Sequence, residues 1–447
     1  MRTYEQIALG VPEVLLPREG IDPAKWAVIA CDQYTSEPDY WAKAAGIVGE
    51  SPSTLHLIYP EVFLHEPEAD KGARIARIRE TMSRYLAGEI FRSEEGMVYI
   101  ERTTGDHTRR GLVICLDLEA YDFRKGSSTL IRATEGTILD RIPPRVRIRE
   151  GAALESPHIM VLIDDPADAV LGPVAAAKAR LPRLYDFKLM LGSGRLAGYR
   201  VADPAVESGI VRALAALADP AAFAAKYGLP EGTPVLLYAM GDGNHSLATA
   251  KTIWETAKER ASDKESVLTS PLRYAMVELV NLHDPALVFE PIHRVIFGLA
   301  PNRDFLSEVQ AHSGGLAEYV PLCCSGVMRE EVEEQTGRPH RIGVATAAGA
   351  GLLEISAPGS NLPVGSLQGF LDAFLKSGGA REIDYVHGAE STIALGTKPG
   401  NMSFILPAMR KEELFRTVIL DGVTPRKTFS MGEAWEKRFY MEARRLG

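Results

Sequence analysis

Residues 234–246, Pro-Val-Leu-Leu-Tyr-Ala-Met-Gly-Asp-Gly-Asn-His-Ser, contain a short apolar run followed by a polar turn with two glycines. The apolar run is typical of a buried strand, and residues 244–262 have the apolar spacing of a helix. Glycines let the backbone turn tightly and approach a ligand, and the N–H groups that begin a helix suit phosphate. The stretch predicts a strand, a phosphate-binding turn and a helix. The alternative is a polar loop in which Asn244 is the N-cap.

The rest of the chain mixes hairpins with helices. Apolar runs and alternation predict strands at 97–102, 110–118, 128–132, 158–163, 274–280, 288–294, 341–346 and 402–406, and a hairpin over 184–201. Helical spacing predicts helices at 66–87, 203–218, 220–227, 303–311, 364–377, 410–418 and 433–446. The arginine-rich stretch 141–149, broken by two prolines, is predicted to be a solvated loop. Because strands and helices do not alternate strictly, the fold class is α+β, a mixed α/β protein, rather than a doubly wound sheet.

Composition sets limits on the class of protein. The 447 residues are 46% hydrophobic and 24% charged, which is typical of a globular chain and excludes a disordered or collagen-like one. A net charge of −9 argues against a nucleic-acid partner. The four cysteines lack zinc-site spacing, and no apolar run is long enough for a membrane span. With no signal-peptide pattern at the start, we expect a reduced, cytoplasmic chain without a membrane partner.

Four further motifs carry side chains that suit chemistry. Glu135, after the strand at 128–132, is a candidate general base, or the stretch is a helix start capped by Thr134. His293 and Arg294 suit an anion, or His293 is a core histidine. The cations and hydroxyls at 424–428 suit phosphate, or form a solvated basic turn. Asp32 is a candidate site residue, and Cys31 beside it is better explained as a buried structural cysteine.

These motifs, in this order, resemble the domain-of-unknown-function family 1015 (DUF1015). Ala30-Cys31-Asp32 stands where that family has Pro-Tyr-Asp, and Ala133–Thr137 matches its Arg-His-Glu-x-Thr in the glutamate and threonine. Asp242–Ser246 matches Asp-Gly-His-His-Arg in Asp, Gly and the second His. Pro291–Arg294 and Pro425–Thr428 match Pro-x-His-Arg and Pro-x-Lys-Ser/Thr fully. The chain departs from the family at Cys31, Thr134 and Ser246, where the family has tyrosine, histidine and arginine.

The motif pair at 133–137 and 242–246 also resembles the ParB/sulfiredoxin-like fold and its free-serine kinases. The resemblance implies a nucleotide-dependent phosphotransferase that acts on a small, serine-like hydroxyl compound with Mg²⁺ and ATP or ADP. In that assignment Glu135, His245 and Asp242 are catalytic, and Asp242 also holds Mg²⁺ through the phosphates. Asp32 and Thr137 contact the substrate. The cofactor-binding residues are Gly241, Gly243, Asn244, Ser246, His293, Arg294, Arg426, Lys427 and Thr428.

Two other functions stay open. The losses at Thr134 and Ser246 favour a sensor that binds a nucleotide or small anion without chemistry. Alternatively, Asp242, His245, Glu135 and His293 hold the metal of a hydrolase. For the architecture we expect three segments around one site: an N-terminal α/β part (1–95), a ParB/sulfiredoxin-like core (96–300) and a C-terminal α/β part (301–447).

Overall fold

The computed structural model describes residues 1–335 and 337–446, which form two compact units. The first unit contains Met1–Leu287 and the C-terminal residues from Gly432 onward, and the second is Val288–Met431. The mixed α/β class expected from the sequence is confirmed, since both units combine sheets with helices. The end of the chain returns to the first unit, and the three segments expected around one site stay a prediction.

The first unit is built on one large mixed sheet. The strands of this unit up to Leu287, in the large sheet and outside it, are β1 Thr3–Tyr4, β2 Leu9–Gly10, β3 Glu13–Pro17, β4 Val28–Ile29, β5 Phe91–Glu95, β6 Val98–Thr104, β7 His107–Asp117, β8 Tyr121–Asp122, β9 Ile131–Arg132, β10 Leu154–Glu155, β11 Met160–Ile163, β12 Arg183–Lys188, β13 Arg195–Arg200, β14 Tyr238–Asp242 and β15 Tyr274–Asn281. The sheet runs in the order β12-β13-β6-β7-β15-β11-β14-β9-β8. Its helices are α1 Pro23–Trp26, α2 Pro38–Val48, α3 Glu68–Ala87, α4 Ile142–Arg149, α5 Gly172–Ala177, α6 Pro204–Leu217, α7 Pro220–Tyr227 and α8 Asn244–Arg260.

Two hydrophobic clusters cover the two faces of this sheet. Along β7 the side chains alternate between them: Val113 and Cys115 lie in one cluster, and Leu112 and Ile114 lie in the other. Successive side chains of a strand point to opposite faces, so a strand that is apolar throughout is buried on both sides. The sheet is therefore an interior layer, and polar side chains gather at its edges, where strands give way to loops.

The second unit contains a smaller sheet with helices. Its strands are β16 Phe289–Phe297, β17 Ala317–Leu322, β18 His340–Thr346, β19 Gly349–Ile355, β20 Glu382–His387, β21 Asn401–Ile405 and β22 Phe429–Met431. They pair in the order β17-β19-β18-β21-β16-β20, and β22 also pairs with β16. Its helices are α9 Phe305–His312, α10 Ser325–Glu333, α11 Pro363–Lys376, α12 Ala389–Gly396 and α13 Lys411–Asp421.

The helix predicted at 433–446 is wrong. This segment contains one 3-10 turn and two short strands, β23 Phe439–Tyr440 and β24 Arg444–Arg445, which pair with β4 and β10 of the first unit. Three of its charged side chains are buried: Glu442 is 0% exposed, and Arg438 and Arg444 are 4% and 5% exposed. Tertiary hydrogen bonds outweigh the helical pattern in this segment. A buried charged side chain must be paired, and the partners of these side chains lie in other parts of the fold.

The solvated loop predicted over the arginine-rich stretch is also wrong, since helix α4 spans it. Pro143 and Pro144 occupy the first helical positions, where a missing N–H costs nothing. The side chains of Arg145 and Arg149 form ion pairs with Glu61 and Glu155. Arg145 and Arg149, which the pattern assigned to solvent, therefore connect this helix to the rest of the first unit through ion pairs.

In the part of the chain that the structure describes, no single helix is long and apolar enough to cross a membrane. One bent pair, Pro204–Leu217 with Pro220–Tyr227, meets that test by length and composition alone.

Candidate functional site

Two of the motifs meet at one edge of the large sheet. Strands β9 and β14 are parallel neighbours, so the segments that follow them leave the sheet at the same edge. The Thr134 hydroxyl donates to the Met240 carbonyl at 2.7 Å, and the Ile138 N–H donates to His245 Nε2 at 3.3 Å. These bonds join the loop 133–138 to the turn 241–246 on both sides of Glu135. Since His245 Nε2 accepts, the proton of the neutral ring is on Nδ1.

Helix α8 begins in the predicted turn, and Gly243 is its N-cap. The alternative with Asn244 as N-cap is wrong, because Asn244 is the first helical residue. Gly243 has φ +80°, and the Asp242 carboxylate accepts its N–H at 2.8 Å. A Cβ at this position would lie 3.1 Å from the Cα of Ile159, so a larger residue would be crowded by the backbone that enters β11.

Replacing Gly243 by alanine is expected to lower the free energy of unfolding by about 1–2 kcal/mol, because an L side chain is strained at positive φ. The backbone of Ile159 adds a steric penalty, since it cannot move as a flexible side chain would. Urea denaturation measures the effect. Gly72→Ala is the matched control: Gly72 lies within helix α3, and a Cβ there would meet no atom within 4 Å, so alanine should stabilise the helix slightly. Equal effects of the two substitutions would contradict the argument.

A lysine and a histidine stand beside the Asp242 turn. Lys437 Nζ lies 3.2 Å from Asp242 Oδ2. Burial alone would raise the pKa of Asp242, but Lys437 and His158 outweigh it and hold that pKa below its usual value. Asp242 is therefore a carboxylate at neutral pH. The start of α8 thus has a fixed negative charge and a neighbouring ammonium group.

His158 links this turn to the Asp32 loop. Its Nε2 lies 2.9 Å from Ser246 Oγ and 3.7 Å from Asp32 Oδ2, and its Nδ1 lies 2.8 Å from the Tyr440 hydroxyl. Tyr440 in turn accepts the Cys31 N–H at 3.1 Å. Ser246, which stands where the family has arginine, is thus bonded to a histidine. Asp32 is brought to the same edge of the sheet as Asp242.

A second carboxylate lies beside the Asp32 loop, because the Glu61 N–H donates to the Cys31 carbonyl at 2.7 Å. Glu61 is paired with Arg145, and burial raises the pKa of Glu61 although Arg145 opposes that effect and Asp32 adds to it. Burial also raises the pKa of the Cys31 thiol, which keeps it protonated and agrees with a structural role for this cysteine.

Two predicted site residues carry buried polar atoms that have no hydrogen-bond partner among the described residues. They are Thr137 Oγ1 and Asn244 Oδ1, one in each of the two motifs that meet. Buried polar atoms are nearly always paired, so an unpaired atom in each motif indicates room for a ligand. Thr134 does not cap a helix, because the next helical turn begins at Leu139.

The other predicted residues lie in the second unit, where their two motifs also meet. Arg294 is fully buried, and its guanidinium donates to Gln368 Oε1 at 3.2 Å and to the Arg426 carbonyl at 2.9 Å. Arg426 pairs with Asp372, and Thr428 donates to the Pro425 carbonyl at 2.6 Å. Lys427, in the same loop, is exposed. The Pro-x-His-Arg and Pro-x-Lys-Thr motifs are therefore neighbours within this unit.

His293 is buried, and its Nδ1 accepts the Leu406 N–H at 3.1 Å, as in the alternative of a core histidine. Burial, with Arg294 nearby, lowers the pKa of His293 to about 4. The unfolded chain therefore binds a proton between pH 6.5 and pH 4 that the fold rejects. The contribution of His293 to the free energy of unfolding is therefore full above pH 6.5 and decreases as the pH is lowered. At pH 4 the decrease for this residue is about 3 kcal/mol.

We expect His293→Gln to flatten the acid side of the stability curve, because glutamine can accept the same N–H but takes up no proton. Urea denaturation at pH 7, 5.5 and 4.5 measures the slope for both proteins. Parallel curves would show that His293 is not a source of the acid sensitivity.

Among residues 1–335 and 337–446, no group of three or more His, Cys, Asp or Glu side chains is arranged to hold a metal ion. The four residues proposed from the sequence as hydrolase ligands do not form such a group.

The sequence patterns did not single out Glu61, His158, Lys437 or Tyr440, and they placed Arg145 in a solvated loop. Their partners are far away in the chain, and only tertiary contacts bring them to the turn. Two weak signals were present: His158 begins a predicted strand, and Lys437-Arg438 is a basic pair in a segment that otherwise looked like an ordinary amphipathic helix.

A family model described as a protein of unknown function (DUF1015) matches residues 15–374. The chain belongs to the DUF1015 family. The match confirms the resemblance drawn from the motifs. Pro425–Thr428 and the Lys437 segment of this DUF1015 protein lie beyond the matched range. A search of curated proteins gave no match.

The DUF1015 chain is also similar to solved structures. A conserved hypothetical protein from Pyrococcus furiosus is 13% identical with a TM-score of 0.35, and the match covers 72% of this chain and 90% of that one. A free serine kinase variant in complex with ADP is 11% identical with a TM-score of 0.39, over 73% and 90%. SbnI from Staphylococcus aureus, truncated at its C-terminus, is 9% identical with a TM-score of 0.33, over 72% and 82%.

Proposed function

We propose that the first unit binds the phosphates of a nucleotide at the start of helix α8 and transfers a phosphoryl group to a small hydroxyl compound. The observation that carries the proposal is the junction of the loop 133–138 with the turn 241–246. It places a carboxylate-bearing loop beside a helix N-terminus, and each segment has a buried polar atom without a partner. A helix start that also has a lysine beside it suits a phosphate group.

Each residue has a defined task in this proposal. The N–H groups at the start of α8 and the ammonium of Lys437 bind phosphate oxygens, and Asn244 orients the ligand. Glu135 accepts the proton of the attacking hydroxyl as its oxygen forms a bond to phosphorus, while the bond from phosphorus to the leaving nucleotide oxygen breaks. Catalysis of this kind depends mainly on positioning and charge stabilisation. Asp32 and Thr137 are the proposed contacts to the hydroxyl compound.

The residues at the turn fit a Mg²⁺ ion that is held mainly by phosphates. Mg²⁺ in phosphoryl transfer uses one or two protein carboxylates and completes its shell with phosphate oxygens and water. Asp242 is ionised and would supply such an oxygen. When bound, the ion neutralises phosphate charge.

Lys437→Met tests the proposal. A hydrogen bond to a charged group contributes about 1.5–3 kcal/mol, so ATP and ADP should bind roughly 10- to 100-fold more weakly. Isothermal titration calorimetry in the presence of Mg²⁺ measures the affinities, and circular dichroism checks the fold. Lys125→Met is the matched control, since Lys125 is an exposed lysine in the loop that enters β9. If the wild-type protein binds neither nucleotide, the proposal is rejected.

A sensor that binds the same ligand without chemistry is the second candidate. It is favoured by the two positions that depart from the family, because both side chains are engaged within the protein: Thr134 bonds to Met240, and Ser246 to His158. Phosphate transfer from ATP to a panel of hydroxy amino acids, followed by mass spectrometry, separates the two. Binding without product favours the sensor.

A further inference from the structure

A second cluster of cationic side chains lies in the first unit, away from the motifs. Arg102 and Arg109 are directly opposite each other across the antiparallel pair β6–β7. Both are buried, with 2% and 8% of their surface exposed. Side chains directly opposite on paired strands share a face and lie within contact distance, and like charges in that arrangement repel each other. An arginine pair in the interior therefore needs a compensating negative charge.

The protein supplies only part of that compensation. Arg109 lies 3.4 Å from Glu278, but Arg438 shares the same carboxylate and also pairs with Glu442. The interior thus holds three arginines against two buried glutamates. Glu436 is a further carboxylate that acts on Arg102, but it is half-buried and forms no ion pair with Arg102 among the described residues.

Arg102 itself has no ion pair among the described residues. Its two terminal nitrogens donate to the carbonyls of Thr103 and Trp435, at 3.1 and 2.9 Å. Burial and the Arg109 charge lower the pKa of Arg102 to about 9, so it remains charged at neutral pH. Arg132 offers a contrast: it is equally buried without a carboxylate, but its Nε donates to the Thr129 carbonyl and its Nη2 to two more.

Three buried donors in this cluster have no hydrogen-bond partner in the described part of the chain. They are Arg102 Nε, Arg109 Nε and the Tyr40 hydroxyl. Arg102 and Tyr40 also interact electrostatically, since each affects the pKa of the other. The Tyr40 ring is held in place by stacking on Tyr34, with ring centroids 3.8 Å apart. Unpaired donors beside a surplus positive charge are the features that bind an anion.

We infer that Arg102, Arg109 and Tyr40 form a buried site for a small oxyanion, bound through phosphate or carboxylate oxygens. The oxyanion accepts the two Nε–H groups and the tyrosine O–H and neutralises the surplus charge of the arginine pair. Carbonyls of residues 435 and 436 lie against the two guanidinium groups, so the segment that leads to Lys437 borders this site. The site is separate from the proposed nucleotide site in its residues and does not depend on the proposed function.

Thermal unfolding in chloride buffer, with inorganic phosphate or acetate added at constant ionic strength, tests the inference. The wild-type melting temperature should rise with anion concentration and level off, because a ligand that binds the folded state stabilises it. A rise with phosphate alone assigns the site to phosphate, and a rise with acetate assigns it to a carboxylate. If neither anion raises the melting temperature, the inference is rejected.

Two variants locate the effect. Tyr40→Phe should be as stable as the wild type in chloride, because the lost hydroxyl has no partner, but should bind the anion several-fold more weakly. Arg102→Met should abolish the anion-dependent rise. Lys437→Met should keep it, which separates this site from the nucleotide site. A rise lost only in Lys437→Met, or equal in Tyr40→Phe, Arg102→Met and the wild type, would overturn the assignment.

Discussion

Replacing Arg438 by methionine is expected to lower the free energy of unfolding by about 3–5 kcal/mol. Arg438 is 4% exposed and donates to Glu278, to Glu442 at 2.6 Å and to the Pro157 carbonyl at 2.7 Å. Among the described residues, Glu442 then has only the Tyr185 hydroxyl, and Glu278 has only Arg109. The loss comes less from the pairs themselves than from the buried carboxylate of Glu442, which is left without a cation. Urea denaturation measures the change.

Two companion variants make this prediction sharp. Arg195→Met removes an exposed partner of Asp186 and should have little effect, because surface ion pairs contribute little. Arg438→Met combined with Glu442→Gln should recover part of the lost stability, since the carboxylate left without a cation is gone. A loss no larger than that of Arg195→Met, or a double variant that is weaker still, would contradict this account.

Arg438→Met should also affect the candidate site. Arg438 follows Lys437 directly and bonds the carbonyl of Pro157, which precedes His158. It is a positioning residue for both side chains. In a folded preparation of Arg438→Met, nucleotide binding should weaken.

Glu135→Gln is expected to lower phosphoryl transfer by about 10²–10⁴-fold while nucleotide affinity stays within about twofold of the wild type. Glutamine has the shape of glutamate but cannot accept the hydroxyl proton. The backbone of the loop should be unchanged, because Thr134 and Ile138 hold it to the turn on either side. Initial rates with ATP and calorimetric binding measure the two quantities on one preparation.

Glu231→Gln provides the matched control, since Glu231 is an exposed glutamate in the loop before β14. It should leave the rate unchanged. Wild-type turnover in Glu135→Gln would remove Glu135 from the proposed role, and equal loss of binding and rate would indicate a structural effect instead.

Most of the regular elements could be predicted from local patterns. Apolar alternation located the hairpin β6–β7, and helical spacing located α3 and α8. These patterns succeed where a segment buries one face against a common core, because the side-chain period then matches the element. The turn at 241–246 was also predictable, since Gly243 adopts a positive φ that few other residues tolerate.

The failures share one physical cause. The segment 433–446 and the stretch 141–149 are rich in charge, and charge spacing alone does not reveal whether a side chain meets solvent or a buried partner. Arg145 donates to Glu61 and Arg444 donates to Glu155, and these contacts span 84 and 289 residues of chain. Partners at such separations are invisible to a local window. The ParB/sulfiredoxin-like description of the core stays a prediction.

The sequence by itself determined the strand, turn and helix around Asp242, and with them the edge of the sheet where a ligand is proposed. The apolar periodicity and the glycines act over a few neighbouring residues, so the elements that they produce can be predicted from the sequence. Only the tertiary structure decided which charges join that turn: Lys437 and His158 in the first unit, while His293 and Arg294 lie in the second. The reason is that burying an ion pair requires partners from remote segments, and their pairing is fixed only when the whole core closes around them.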